Sequence, residues 1–192
     1  MQRILVTDRA PGAAETCADL LRDFDSLVRL YRPRIFRFMM ASLRDRESAE
    51  NLTQDCFVRA YQARHQFRGA ASLTTWLMQI AANLIRDHEN SRRLKFWRRH
   101  LGAVPDFAGL SDWIPDGQSS PEAAAAAREQ VEAVWSAVRR LSERQRTVFL
   151  LRFVEEMDLQ EIAAVTGMKE GTVKSHLFRA LQAVRAKLED RK

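Results

Sequence analysis

The sequence predicts an all-α protein: two small helical bundles joined by a flexible linker, the second bundle ending in a helix-turn-helix. Three observations predict it. Only seven glycines and five prolines punctuate 192 residues, so long helices can run uninterrupted. Apolar residues recur at helical spacing over most of the chain, and that period disappears across residues 101–120. The stretch 158–188, DLQEIAAVTGMKEGTVKSHLFRALQAVRAKL, reads as a short helix, a tight turn and a longer second helix.

Residues 1–24 carry the weakest pattern. Pro11-Gly12 interrupts them, and they are expected to form an N-terminal extension with a short helix near residues 18–24. Across residues 25–43, Leu27, Tyr31, Ile35, Phe38 and Met39 follow a helical period, with Pro33 predicted to kink or break the helix. Asp45 can cap a second helix, which turns Leu52, Cys56, Phe57, Ala60 and Tyr61 toward a core. Residues 66–71, containing Arg68-Gly69, form a connection. A third helix begins near Ser72 and runs through Trp76, Leu77, Ile80, Ala81, Leu84 and Ile85. Short connections make these three a compact bundle, residues 25–95.

Toward the end of that third helix the cations Arg86, Arg92, Arg93, Lys95, Arg98 and Arg99 gather around Phe96 and Trp97. Such a run is either a solvated helix end or a surface where stacking and phosphate contact act together on a single strand. Residues 96–120 are the linker: Gly102, Pro105, Gly109, Pro115 and Gly117 arrive with Asp106, Asp112 and Asp116. Ser120-Pro121-Glu122 then combines a cap, a first-turn proline and an acid, opening the second domain, 121–192. Its first helix turns Val131, Val134, Trp135, Val138 and Leu141 to one side. Ser142 and Gln145 form a capping box for a helix through Val148, Leu151 and Val154.

In the helix-turn-helix, Asp158 and Glu161 form a second capping box, and Gly167 supplies the left-handed turn residue. Val173, Leu177, Leu181, Val184 and Leu188 give the last helix a core-facing stripe. Thr172, Lys174, Ser175, Phe178 and Arg179 share the opposite face, the kind that enters a DNA major groove. A lysine or arginine there meets either a guanine edge or a phosphate. Phe178 either touches a thymine methyl or packs on a neighbouring helix.

A net charge of +6 favours a polyanionic partner. Cys17 and Cys56 stand far apart, outside any C-x-x-C or zinc-ligand pattern, and read as free thiols of a reducing compartment. The apolar run at the N-terminus is too brief for a signal peptide, and no stretch reaches the roughly 20 apolar residues of a membrane span. The cytoplasm is the expected location. Asp87-His88-Glu89 point in different directions on a helix and cannot converge on one ion. His65, His88, His100 and His176 lack partners at ligand spacing. With neither a nucleophile elbow nor a phosphate-binding glycine loop, no catalytic residue, metal or cofactor is expected, and an enzyme, such as a helical nuclease, is disfavoured.

Three motifs standing in one order carry a resemblance. They are Ala49-Glu50-Asn51-Leu52-Thr53-Gln54-Asp55-Cys56-Phe57; then Phe67-Arg68, Thr75-Trp76-Leu77 and Ile80-Ala81-Ala82-Asn83; and Gly171-Thr172-Val173-Lys174-Ser175. With their spacing, residues 27–95 and 126–188 resemble regions 2 and 4 of the extracytoplasmic-function sigma factors of the sigma-70 family. The resemblance implies a dissociable promoter-recognition subunit of core RNA polymerase. Asn51, Gln54, Asp55 and Phe57 match the helix that docks on the largest polymerase subunit. Phe67, Arg68, Trp76, Asn83 and Arg86 match the part that captures an unstacked base of the melted −10 element. Thr172, Lys174, Ser175, His176, Phe178 and Arg179 match the helix that reads the −35 duplex. An anti-sigma partner is implied as well.

The sequence also departs from the family. Asn51 stands where aspartate is more frequent, Met78-Gln79 replaces a common Tyr-Arg pair, Leu73-Thr74 replaces more aromatic positions, and His176 replaces arginine. Read residue by residue, Trp76 serves as core or as a stacking platform, Asn83 bonds a flipped base or a neighbouring loop, and Gln54-Asp55 form a docking edge or a plain polar patch. A stand-alone helix-turn-helix regulator with an N-terminal sensing or dimerisation bundle is the competing function. It has no use for the 51–57 motif coupled to 67–83. The linker offers no evident path for damage in one bundle to reach the other.

Overall fold

Most of the helices begin where the sequence supplies an acceptor for their free amides. In the computed structural model, which describes residues 21–98 and 121–189, α1 spans Phe24–Leu43 and Asp23 accepts from Ser26 N at 3.3 Å. α2, Arg46–Ala63, starts with Asp45 accepting from Ser48 N at 2.9 Å. A single 3-10 turn, Arg64–Gln66, leads to α3, Leu73–Arg98, where Ser72 Oγ accepts from Thr75 N at 3.0 Å. α4, Pro121–Arg140, carries its proline at the first helical position, where the missing N–H costs nothing. α5, Glu143–Phe153, and α6, Leu159–Thr166, both open with the two-way capping boxes read from the sequence. Gly167 takes φ 69° and turns the chain into α7, Glu170–Glu189.

Pro33 does not break α1. The helix passes through it as one element of 20 residues. A proline removes one backbone hydrogen bond and crowds the preceding turn. Here Leu27 and Tyr31 before it and Ile35, Phe38 and Met39 after it lie buried on one stripe, and their burial outweighs the local cost. α3 also runs past residue 95, into the stretch assigned to the linker. The rest of the linker, the extension before residue 21, Cys17, Arg99 and His100 lie outside the described residues. So do the side chains of Arg92, Arg93, Lys95, Phe96, Trp97 and Arg98.

α1, α2 and α3 pack on one another, and α4, α5 and α6 pack around α7. The two groups do not stand apart. α6 lies on α3, α5 lies on α1, and one continuous buried cluster runs from Leu27 to Val184. The linker is therefore not the sole connection between the halves, and damage has a path across them.

Candidate polymerase and nucleic-acid interface

The outer face of α7 is open. Val173, Ala180 and Val184 are buried beneath it, while Thr172, Lys174, Ser175, Phe178 and Arg179 are exposed. Phe178 is 62% exposed and, among the described residues, stands outside the set of hydrophobic side chains packed against the buried cluster. A bare phenyl ring among cations is poorly placed in water and well placed against a base or sugar. Lys174 pairs with Glu170 one turn back, Nζ to Oε1 at 2.8 Å. Both side chains are solvated, and a phosphate can displace so weak a pair. Ser175 Oγ donates to Gly171 O at 2.9 Å, which leaves its lone pairs outward. His176 is half-buried. Desolvation, then Arg179 and Arg144, hold its imidazole below the ordinary range of 6.5, so at neutral pH it is an uncharged group.

The second face lies between α1 and α2. Asn51, Gln54 and Asp55 are exposed along one edge of α2. Beside them a groove of about 530 Å³ is lined by Phe24, Val28, Asn51, Gln54, Phe57 and Tyr61. Val58 and Tyr61 stay about half exposed there. Phe57 takes the core position that its helical period predicts and also lines that groove. It is 7% exposed and belongs to the core, showing the groove only an edge. Its position one turn from Thr53 and Ala60 on the buried stripe is the reason.

The third set is split. Phe67 and Trp76 pack ring to ring, 5.2 Å between centroids, half-buried against the core where the chain enters α3, with exposed Arg68 beside them. Asn83 and Arg86 stand further along α3 in a cleft of about 320 Å³ whose far wall is Glu143, Arg144, Thr147, Thr166, Gly167 and Met168. Met78 is fully buried and Gln79 exposed, so the departure at that pair places a core side chain beside a surface one.

What the sequence did not reveal lies between the halves. Arg34 of α1 binds Glu155, its Nε on the carboxylate and Nη2 donating to the carbonyl at 3.2 Å. Arg146 of α5, 8% exposed, donates from Nη1 to Ser42 O at 2.6 Å and from Nη2 to Leu141 O at 3.1 Å. Burial, reinforced by Arg44, brings the Arg146 pKa down to about 10, and it remains a cation at neutral pH. Among the described residues no cluster of three or more His, Cys, Asp or Glu could hold a metal ion, and Cys56 is a buried free thiol pushed up to about 12 by desolvation.

Family models match both groups of helices: Sigma-70 region 2 over residues 27–95 and Sigma-70 region 4 over residues 131–184. The RNA polymerase sigma-H factor of Pseudomonas aeruginosa is 32% identical over 164 residues, covering 85% of this chain and 84% of that one. The chain belongs to the sigma-70 family. It falls among the extracytoplasmic-function members, being also 27% identical over 168 residues to the sigma factor SigW of Bacillus subtilis, which it matches over 89% of that protein and 87% of itself. The fold of a solved sigma factor agrees. RpoE of Bartonella quintana, crystallised with the anti-sigma factor NepR, superposes with TM-score 0.70 at 22% identity, covering 88% of this chain and 98% of that one.

Proposed function

We infer that this protein is a sigma factor that directs core RNA polymerase to specific promoters through −10 and −35 recognition and so initiates transcription. The observation that carries the reading is the presence of regions 2 and 4, in order, on one chain whose alignment to a sigma factor spans both. A stand-alone regulator needs only the helix-turn-helix and leaves region 2 without a purpose.

The roles divide as follows. Asn51, Gln54 and Asp55 form the polymerase-docking edge, and Phe57 shapes the groove from beneath. Phe67, Arg68, Trp76, Asn83 and Arg86 serve capture of the melted −10 strand. Thr172, Lys174, Ser175, His176, Phe178 and Arg179 meet the −35 duplex, with Arg179 the candidate for base-specific bonds. The working units are residues 25–95 and 121–192, with 1–24 as an extension and 96–120 as the linker. The protein acts without catalysis or cofactor, in the cytoplasm where polymerase and chromosome are; no described helix is long and apolar enough to cross a membrane. An anti-sigma factor is the expected regulator, since the sigma factor RpoE of Bartonella quintana was solved in complex with the anti-sigma factor NepR.

Affinity capture with the tagged full chain tests this reading against its rival. A sigma factor retains core polymerase from purified components without DNA. A stand-alone regulator retains none and shifts duplex DNA by itself.

A further inference from the structure

Gly171 stands in the first turn of α7, exposed, and nothing inside the chain accounts for a glycine there. A helical glycine is less stabilising than alanine, because it surrenders more backbone freedom on folding. Two internal reasons can require one: a left-handed backbone, or a neighbour that leaves no room for a Cβ. Gly167 in the preceding turn is of the first kind, at φ 69°. Gly171 is of neither kind. Its φ lies outside the left-handed range, and among the described residues no atom lies within 4 Å of where its Cβ would stand. The reason left is external: a partner whose surface comes up against the helix backbone at this turn.

Glu170, beside it, is the one carboxylate between Lys169 and Ala180. Its Oε1 holds Lys174 Nζ at 2.8 Å, with 43% of the glutamate side chain and 60% of the lysine side chain exposed. In the free protein the pair neutralises itself, and an acid suits the positive end of a helix. Against a duplex the balance changes. A phosphate draws Lys174 away from so weak a pair, and the released carboxylate faces a surface of like charge. Guanine N7 and O6, adenine N7 and thymine O4 repel it from the floor of the major groove. Cytosine N4 offers it a donor with no acceptor beside it on that base. The first residues of a recognition helix are the ones that reach base edges.

We propose that Glu170 and Gly171 form a further sequence-reading element. The bare backbone at Gly171 lets the first turn of α7 seat against the duplex, and the Glu170 carboxylate then accepts from cytosine N4 at one position of the −35 element. Guanine or thymine at that position meets the carboxylate with lone pairs, so Glu170 selects chiefly by rejection. The inference rests on the −35 role given to α7 above and adds two residues which that role does not include.

The test uses the full-length protein bound to core polymerase, on a promoter library randomised through the −35 region, with the retained DNA sequenced. Circular dichroism and urea denaturation first establish that each variant is folded. Wild type should prefer cytosine at one position by about tenfold over guanine or thymine. Glu170→Ala should level that position and leave the others as they are. Glu170→Gln should move the preference there to adenine, whose N6 and N7 a carboxamide meets with an acceptor and a donor. Gly171→Ala gains helix propensity and should unfold at the same or a higher urea concentration, yet bind the library several-fold more weakly and lose the cytosine preference. Preferences that match wild type at every position in both Glu170 variants overturn the reading role of Glu170. Equal weakening on all sequences in Glu170→Ala overturns it too, since the carboxylate then only seats Lys174. Wild-type binding by Gly171→Ala overturns the close approach. Arg179→Ala in the same library separates these failures from failure of the −35 role. A change at its own position, with none from Glu170 or Gly171, leaves α7 on the duplex and sinks this proposal alone. A wild type that selects no −35 sequence removes both.

Discussion

Asp55→Lys is the perturbation that most cleanly separates docking from folding. Asp55 is exposed on α2, and Arg59 lies one turn further along the same exposed strip. Reversing its charge replaces an opposite-charge i,i+4 spacing with a like-charge one. On a solvated helix that changes stability by about 0.4–1 kcal/mol. At a docking surface of opposite sign, a misplaced like charge costs several kcal/mol. Taking about 3 kcal/mol, affinity for core polymerase falls about a hundredfold or more, since each 1.4 kcal/mol is about tenfold. The assay is competition for fluorescently labelled core polymerase, paired with urea denaturation of the free protein. The expected pattern is a midpoint near wild type beside a large loss of core binding. Equal affinity for core in a folded variant refutes the assignment of Asp55 to the docking edge. Equal loss in both assays places Asp55 in the fold instead.

Three further predictions concern the second half. Arg179→Ala should cost about 1–3 kcal/mol and relax preference at one −35 base pair, whereas Lys174→Ala should weaken all sequences alike and reduce the salt slope by about one. Binding to a randomised −35 duplex at several salt concentrations distinguishes them, and unchanged values in both remove this face from DNA. Asp158→Ala deletes the acceptor for Glu161 N, 2.8 Å away, and should lower unfolding stability by about 1 kcal/mol, measured by urea denaturation; no change refutes the cap. The folded protein depresses the His176 pKa below 6.5, so it holds fewer protons there than the unfolded chain as the solution acidifies. Its stability contribution is complete above about 6.5 and is lost as pH falls through the folded value. His176→Gln should flatten the stability profile between about pH 7 and 5, and an unaltered slope contradicts the burial of that ring.

Local chemistry made much of this fold legible. The caps at Asp45, Ser142 and Asp158 and the turn at Gly167 depend on residues within four positions of one another, and the open face of α7 on a single helical period. Phe57 stands in the core, as the helical period of α2 indicates, and lines the groove beside the docking edge as well. Pro33 leaves α1 unbroken, because the buried stripe on either side of it outweighs the local penalty. The contacts between halves were beyond reach for a different reason. Ser42 and Arg146 are 104 positions apart, and a guanidinium resting on the end of a helix leaves no periodic mark. Glu155 reads as an ordinary loop acid until Arg34 is seen against it.

Promoter-directed initiation by this single chain is the central claim, and multi-round transcription with purified core polymerase tests it most directly. The templates are fragments of the host genome, with transcript 5′ ends mapped in the presence and absence of the protein. The account predicts discrete start sites that require the protein, share one pair of upstream elements, and vanish with Asp55→Lys. Transcripts that are absent, or that start at the same positions without the protein, would contradict it.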